Sequence, residues 1–113
     1  MNECAKCGRK LTAIDSRFRG YGPCCNQYVR AAERELRKAN TRQAYSALRL
    51  LQEPERIIKL HLRHIKGWVF MSAETDAVYI TVVTPTGYGC NCPSGLRSKR
   101  TCYHEMVATV LAA

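Results

Sequence analysis

A small α+β fold is predicted by three features of this 113-residue chain: a change of hydrophobic period at Gly67, seven cysteines gathered towards the two ends, and a length that gives one ordinary domain at most. A chain this short buries too small a core to stand on packing alone if it is divided. Cysteines paired at ligand-like spacings therefore point to bound metal as the substitute, and zinc is the ion that thiolate and imidazole donors favour. No run of about 18 apolar residues is present, which excludes a helical membrane span. The polar start MNECAKCGRKL is unlike a secretory leader, so a cytoplasmic setting is expected (the host cytoplasm if the chain is viral), with thiols rather than disulfides.

The elements follow in order. Residues 4–23 read as a knuckle and turns, punctuated by Gly8, Gly20, Gly22 and Pro23. A helix is predicted from Cys24 to Ala39, its stripe being Val29, Ala32, Leu36 and Ala39. Asn40 is the expected cap of a second helix, with Gln43 as its reciprocal partner and Ala44, Leu48 and Leu51 facing inward. Pro54 suits the first turn of a third helix carrying Ile57, Ile58, Leu62 and Ile65. After Gly67, Trp68–Met71 and Ala77–Val83 read as a hairpin about the turn at 72–76. A second turn at 84–87 leads to a short strand, Tyr88–Cys92. The last helix spans Tyr103–Leu111, with Met106, Val107, Val110 and Leu111 inward. The expected division is 1–39, 40–66 and 67–113, with connections short enough to make one compact body.

The sharpest chemistry is Cys90-Asn-Cys92, nine residues, then Cys102-Tyr-His104. Two cysteines two apart on an extended segment project to one side of it. The second pair, at a helix start, can close a tetrahedron from the other side. This pattern, with the preceding hairpin and the following apolar helix, resembles the SWIM zinc finger over residues 68–113. The family occurs in transposases, helicase-like ATPases, recombination adaptors and ubiquitin ligases. The resemblance implies a ββ-α finger that binds DNA or protein, with a filled, structural zinc site of Cys90, Cys92, Cys102 and His104.

At the other end stand Cys4-Ala-Lys-Cys7-Gly8 and, after Gly22-Pro23, the adjacent pair Cys24 and Cys25. The segment resembles a small uncharacterised zinc-binding module of phage and actinobacterial proteins, Cys-x2-Cys-Gly-Arg followed by Gly-Pro-x-Cys. Cys4, Cys7 and Cys25 match that pattern, and Cys24 falls at its variable position. With the first helix this makes a treble-clef-like knuckle. Seven cysteines and His104 supply eight donors, enough for two zinc ions. The alternatives are three cysteines with an outside ligand (His61, His64 or Asp15), or Cys24 as a free thiol. His61 and His64, three apart on the expected third helix, are more simply read as packing residues with polar tips outward.

The formal charge is +9. Residues 1–50 carry eleven Lys/Arg against four acids, and the remainder seven against five, which favours a polyanionic partner for the first half. Arg30, Arg34 and Arg37 form a ridge on the first helix with Lys38 beside them. The plainer reading is a solvated face on which Glu33 supports Arg37. Arg17, Phe18, Arg19 and Tyr21 interleave cations with rings that can stack on bases or fill the finger's core. Arg97, Lys99 and Arg100 lie between the two C-terminal ligand pairs, where both ends of the loop are tethered. Trp68 and Tyr79 read as core. Glu105 invites a deaminase reading, but the motif order is wrong and the metal site is filled. The expected function is therefore non-enzymatic: a zinc-binding nucleic-acid binder of phage or mobile-element type, or else an adaptor or inhibitor that binds a host protein complex. No membrane contact is expected.

Overall fold

A computed structural model of the chain describes residues 3–85, 87–91 and 102–113. The N-terminal knuckle is pinned by an isolated antiparallel bridge between Glu3 and Lys10. Residues 4–23 are more than turns, for they include a short helix, α1 (Ile14–Arg19). Asp15 in its first turn and Arg17 and Arg19 in its last suit the helix dipole, and Gly20, at φ 75°, closes it.

Helix α2 (Pro23–Ala39) begins with proline in its first turn and ends at Asn40, whose left-handed conformation (φ 51°) terminates it. The expected cap at Asn40 is thus displaced by one residue. Thr41 caps α3 (Arg42–Gln52), its hydroxyl accepting the Ala44 N–H at 3.1 Å. Gln43 consequently misses the position from which it could reciprocate. The stripe of α2 is also shorter than expected: Val29 is buried, Ala32 and Leu36 are half-buried, and Ala39 is exposed.

The third helix does not form. A single 3-10 turn, Pro54–Arg56, leads directly into strand β1 (Ile57–Leu60). Ile57 is buried and Ile58 is half-exposed, so the apolar run follows period two, not 3.6. His61 and His64 therefore lie exposed in the loop after β1 rather than on a helix.

Strands β2 (Lys66–Met71), β3 (Val78–Thr84) and β4 (Gly87–Cys90) complete an antiparallel meander in the order β1-β2-β3-β4. The final helix, α4 (Tyr103–Ala112), lies against one face of the sheet and packs in turn on α3 and α2. Ile57, Trp68 and Phe70 from that face meet Val29, Leu50, Leu51, Val107 and Leu111 from the helices in one core. The knuckle joins the same core through Cys4, Ala5, Leu11 and Tyr21. Two buried hydrogen bonds fix it there: Trp68 Nε1 donates to the Ala5 carbonyl at 2.9 Å, and the Tyr21 hydroxyl to the Leu51 carbonyl at 2.8 Å. The radius of gyration is 13.4 Å, against about 13 Å for a compact chain of this length.

The other face of the sheet is apolar too. Register places Ile58, Val69 and Ile80 in one row and Met71 beside Val78 in the next. Ile58, Val78 and Ile80 are 50%, 52% and 44% exposed. No helix among the described residues is long and apolar enough to cross a membrane.

Candidate metal centres

The knuckle is shaped by backbone hydrogen bonds: Cys4 N–H donates to the Arg9 carbonyl and Gly8 N–H to the Cys4 carbonyl, each at 2.8 Å. Gly8 sits at φ +78°, a left-handed conformation that favours glycine, and a Cβ there would also stand 2.8 Å from Cε1 of the exposed His61 ring, which would have to give way. The turn carries Cys4 and Cys7, and the start of α2 supplies Cys25. Their sulfur atoms all lie within 4.8 Å of one another. Cys4 is buried, Cys25 is half-buried and Cys7 is exposed.

Burial works against ionising Cys4, yet N–H groups of Cys7, Gly22 and Lys6 outweigh it and hold the thiol below its ordinary range. Gly22 N–H donates to Cys4 Sγ at 3.4 Å. Cys25 goes the opposite way: burial first, then repulsion from Cys4 and hydrogen bonding with Cys7 and Cys4, push it up to about 12. Three crowded thiols cannot all ionise unaided, whereas a dication between them turns the same crowding into attraction. The donor set thus fits a thiolate-bound metal such as zinc.

Cys24 is exposed and stands outside this group. Successive helical side chains diverge by about 100°, so its neighbour's approach does not bring it along. Asp15, His61 and His64 also lie outside the group. His61 is engaged elsewhere, its Nε2 lying 2.9 Å from Glu3 Oε1.

The second group is Cys90, Cys102 and His104, with donor atoms again within 4.8 Å of one another. Cys90 ends β4 opposite Thr81, whose fully buried hydroxyl donates to Cys90 Sγ at 3.2 Å. Asn91 extends the pairing beyond the strand: its N–H donates to the Ile80 carbonyl at 3.2 Å, and its Oδ1 accepts the Ile80 N–H at 2.8 Å. Cys102 is the residue that caps α4, and His104 follows in its first turn. Rings of Phe70, Tyr79 and Tyr103 surround His104, with centroids 5.6, 5.1 and 4.1 Å away. This packing fixes the imidazole plane. Its Nδ1 is buried and has no hydrogen-bond partner among the described residues. Such an orphan costs about 1–3 kcal/mol, a cost that ligation of a metal through Nδ1 would relieve. Two cysteines and this histidine fit a zinc-type site.

Cys92, and the cations Arg97, Lys99 and Arg100, lie outside the described residues. Spacing alone singled out the residues that the fold gathers, Cys4, Cys7 and Cys25 at one end and Cys90, Cys102 and His104 at the other. It missed Thr81 and Phe70, whose positions depend on sheet register. Trp68 is core as expected, while Tyr79 is half-buried against the histidine.

Among the basic residues, Arg30, Arg34, Arg37 and Lys38 are exposed on α2, where Lys38 pairs with Glu35 at 3.3 Å. The expected support of Arg37 by Glu33 is not among the ion pairs of the described residues. Tyr21 belongs to the core, whereas Phe18 is 88% exposed on α1. Arg17 Nε is tied to the Leu11 carbonyl at 3.2 Å, and Arg19 lines a groove beside α2.

No curated protein and no solved structure matches the chain. A family model described as a family of unknown function, DUF6011, matches residues 2–30, the span that holds Cys4, Cys7, Cys24 and Cys25.

Proposed function

We propose that the chain is a non-enzymatic, zinc-stabilised nucleic-acid-binding protein, a small regulator of phage or mobile-element type that takes DNA ahead of RNA. In this reading zinc holds a treble-clef-like knuckle through Cys4, Cys7 and Cys25, and Cys24, which stands outside that group, would have to swing in as fourth donor. A second zinc holds a SWIM-like finger through Cys90, Cys92, Cys102 and His104. Neither ion does chemistry; filled ligand sets leave no position for a reacting water. Cations outside the ligand sets meet phosphates.

The observation that carries this reading is Phe18. An 88% exposed ring between Arg17 and Arg19, on a helix anchored by the knuckle, is poorly explained as packing. It is well suited to stack on a base whose phosphates the flanking guanidinium groups neutralise. The test is fluorescence anisotropy of labelled single-stranded and duplex oligonucleotides against the zinc-loaded protein over a salt series. Binding tighter than about 10⁻⁶ M at about 0.15 M salt is expected, falling about tenfold or more with Phe18→Ala. Binding that stays in the non-specific range of about 10⁻⁴–10⁻⁶ M and ignores Phe18→Ala overturns the reading.

The uncovered face of Ile58, Val78 and Ile80 favours a second reading, an adaptor that docks a host protein. An adaptor's affinity for its partner would change little with salt, because that face carries no charge.

A further inference from the structure

Besides the metal centres, the molecule has a groove of about 310 Å³ between one face of α2 and the chain that leaves α3. Asn26, Arg30, Glu33 and Arg37 line it from α2, at spacings of four, three and four residues, which places them in one row along the helix. Arg19 enters from the end of α1, and Gln52 faces them from α3. Tyr21, which also lines the groove, is buried and held by its hydroxyl on Leu51.

Three arginines converge on this one concavity, and none of them forms an ion pair among the described residues. Arg19 is the least satisfied. Among the described residues its Nε is buried without a hydrogen-bond partner, and its Nη2 makes a long 3.4 Å contact with Ser16 Oγ. The guanidinium is thus short of acceptors, and an anion in the groove would supply them to its Nη groups. Two features oppose an anion. The carbonyls that end α3 point negative dipoles outward, but Leu50 and Leu51 are already occupied by Glu53 N–H and the Tyr21 hydroxyl. Acidic residues are the other: among the lining residues Glu33 is one carboxylate against three guanidinium groups, an excess of +2, and Glu55 also acts on Tyr21 from outside the lining.

We infer that this groove is a phosphate-binding site, with Arg19, Arg30 and Arg37 as its donors. Arg30 and Arg37 are seven residues apart, about 10 Å along the helix, so their guanidinium groups are placed to meet different phosphates of one strand. A run of backbone phosphates matches that span, and a free phosphorylated compound shares the same chemistry. The nucleic-acid source rests on the function proposed above; the groove itself does not.

The test uses the full, zinc-loaded, ¹⁵N-labelled chain and follows the arginine Nε–Hε signals by NMR during titration with pyrophosphate and, separately, with a twelve-nucleotide single strand. Saturable, concerted movement of the Arg19, Arg30 and Arg37 signals, with those of Arg42 and Arg63 unmoved, is the expected result. If the oligonucleotide moves the three at lower concentration than pyrophosphate, the source is nucleic acid. If pyrophosphate alone moves them, the groove stands as a site for a free phosphorylated compound and nucleic acid is ruled out as its ligand. If the oligonucleotide binds while the three stay still towards both probes, the nucleic-acid reading survives and the groove is overturned. Uniform drift of all arginines, or no response to either probe, also overturns it. Arg30 and Arg37 are exposed, so Arg30→Gln with Arg37→Gln leaves the fold intact and lowers affinity about 10–100-fold. Glu33→Gln removes the opposing charge and raises affinity; a loss there contradicts an anion site.

Discussion

The hydroxyl of Thr81 is fully buried on the inner face of β3 and donates to Cys90 Sγ at 3.2 Å. A thiolate that binds metal is oriented and tuned by such a donor, and losing an outer partner of this kind typically costs about 10–100-fold in metal affinity. Thr81→Val keeps the shape and removes the hydroxyl. It should weaken zinc binding at the Cys90–Cys102–His104 centre by about that factor while the Cys4–Cys7–Cys25 centre keeps its affinity. Competition against a chromophoric chelator reads both centres, and Thr81→Ser should restore the loss. An unchanged affinity in the valine variant would make Thr81 a packing residue only. The contact was not legible in the sequence, because nine residues separate Thr81 from Cys90 and only the β3–β4 register makes them neighbours. The cysteine groups were legible, since each contains a pair whose spacing is local, whereas which of Cys24 and Cys25 joins the first group was settled only by the direction of α2.

Elements whose signals are local came through, and those decided by partners did not. Pro23 and the period of α2 define that helix within a few residues, whereas the short α1 that Gly20 closes was not foreseen. Ile57 to Ile65 is a short apolar run whose period is ambiguous until β2 offers a ladder, and pairing with Phe70 and Val69 then selects strand over helix. The hairpin was recognisable from β-branched content rather than from alternation, because both faces of the sheet are apolar. At the α2–α3 junction, Asn40 and Thr41 are both credible caps. The choice follows from conformation: Asn40 tolerates the left-handed turn that ends one helix, which leaves Thr41 to start the next. Thr41→Ala should therefore cost about 1 kcal/mol in urea unfolding, whereas Gln43→Ala should cost almost nothing. Equal losses would return the cap to Asn40 and its partner.

At the scale of the whole molecule, Trp68 ties the two ends of the chain together. It is the one tryptophan, fully buried in the sheet, and its Nε1 donates to Ala5, a residue inside the first metal-binding turn. The same core takes in Val107 and Leu111 of α4, the helix whose start carries Cys102 and His104. Each cysteine group therefore sits at one side of a shared core, where a bound metal would brace it. Stripping metal with a chelator should move Trp68 emission to the red in step with loss of helical circular dichroism, in one transition and from both centres. Cys25→Ser, which damages only the first centre, should already shift that emission, because the Ala5 carbonyl loses its fixed place. Two separated transitions, with Trp68 following only the second centre, would mean that the knuckle and the finger fold independently. The hydrogen bond from Trp68 to Ala5 would then be a contact between modules rather than part of one core.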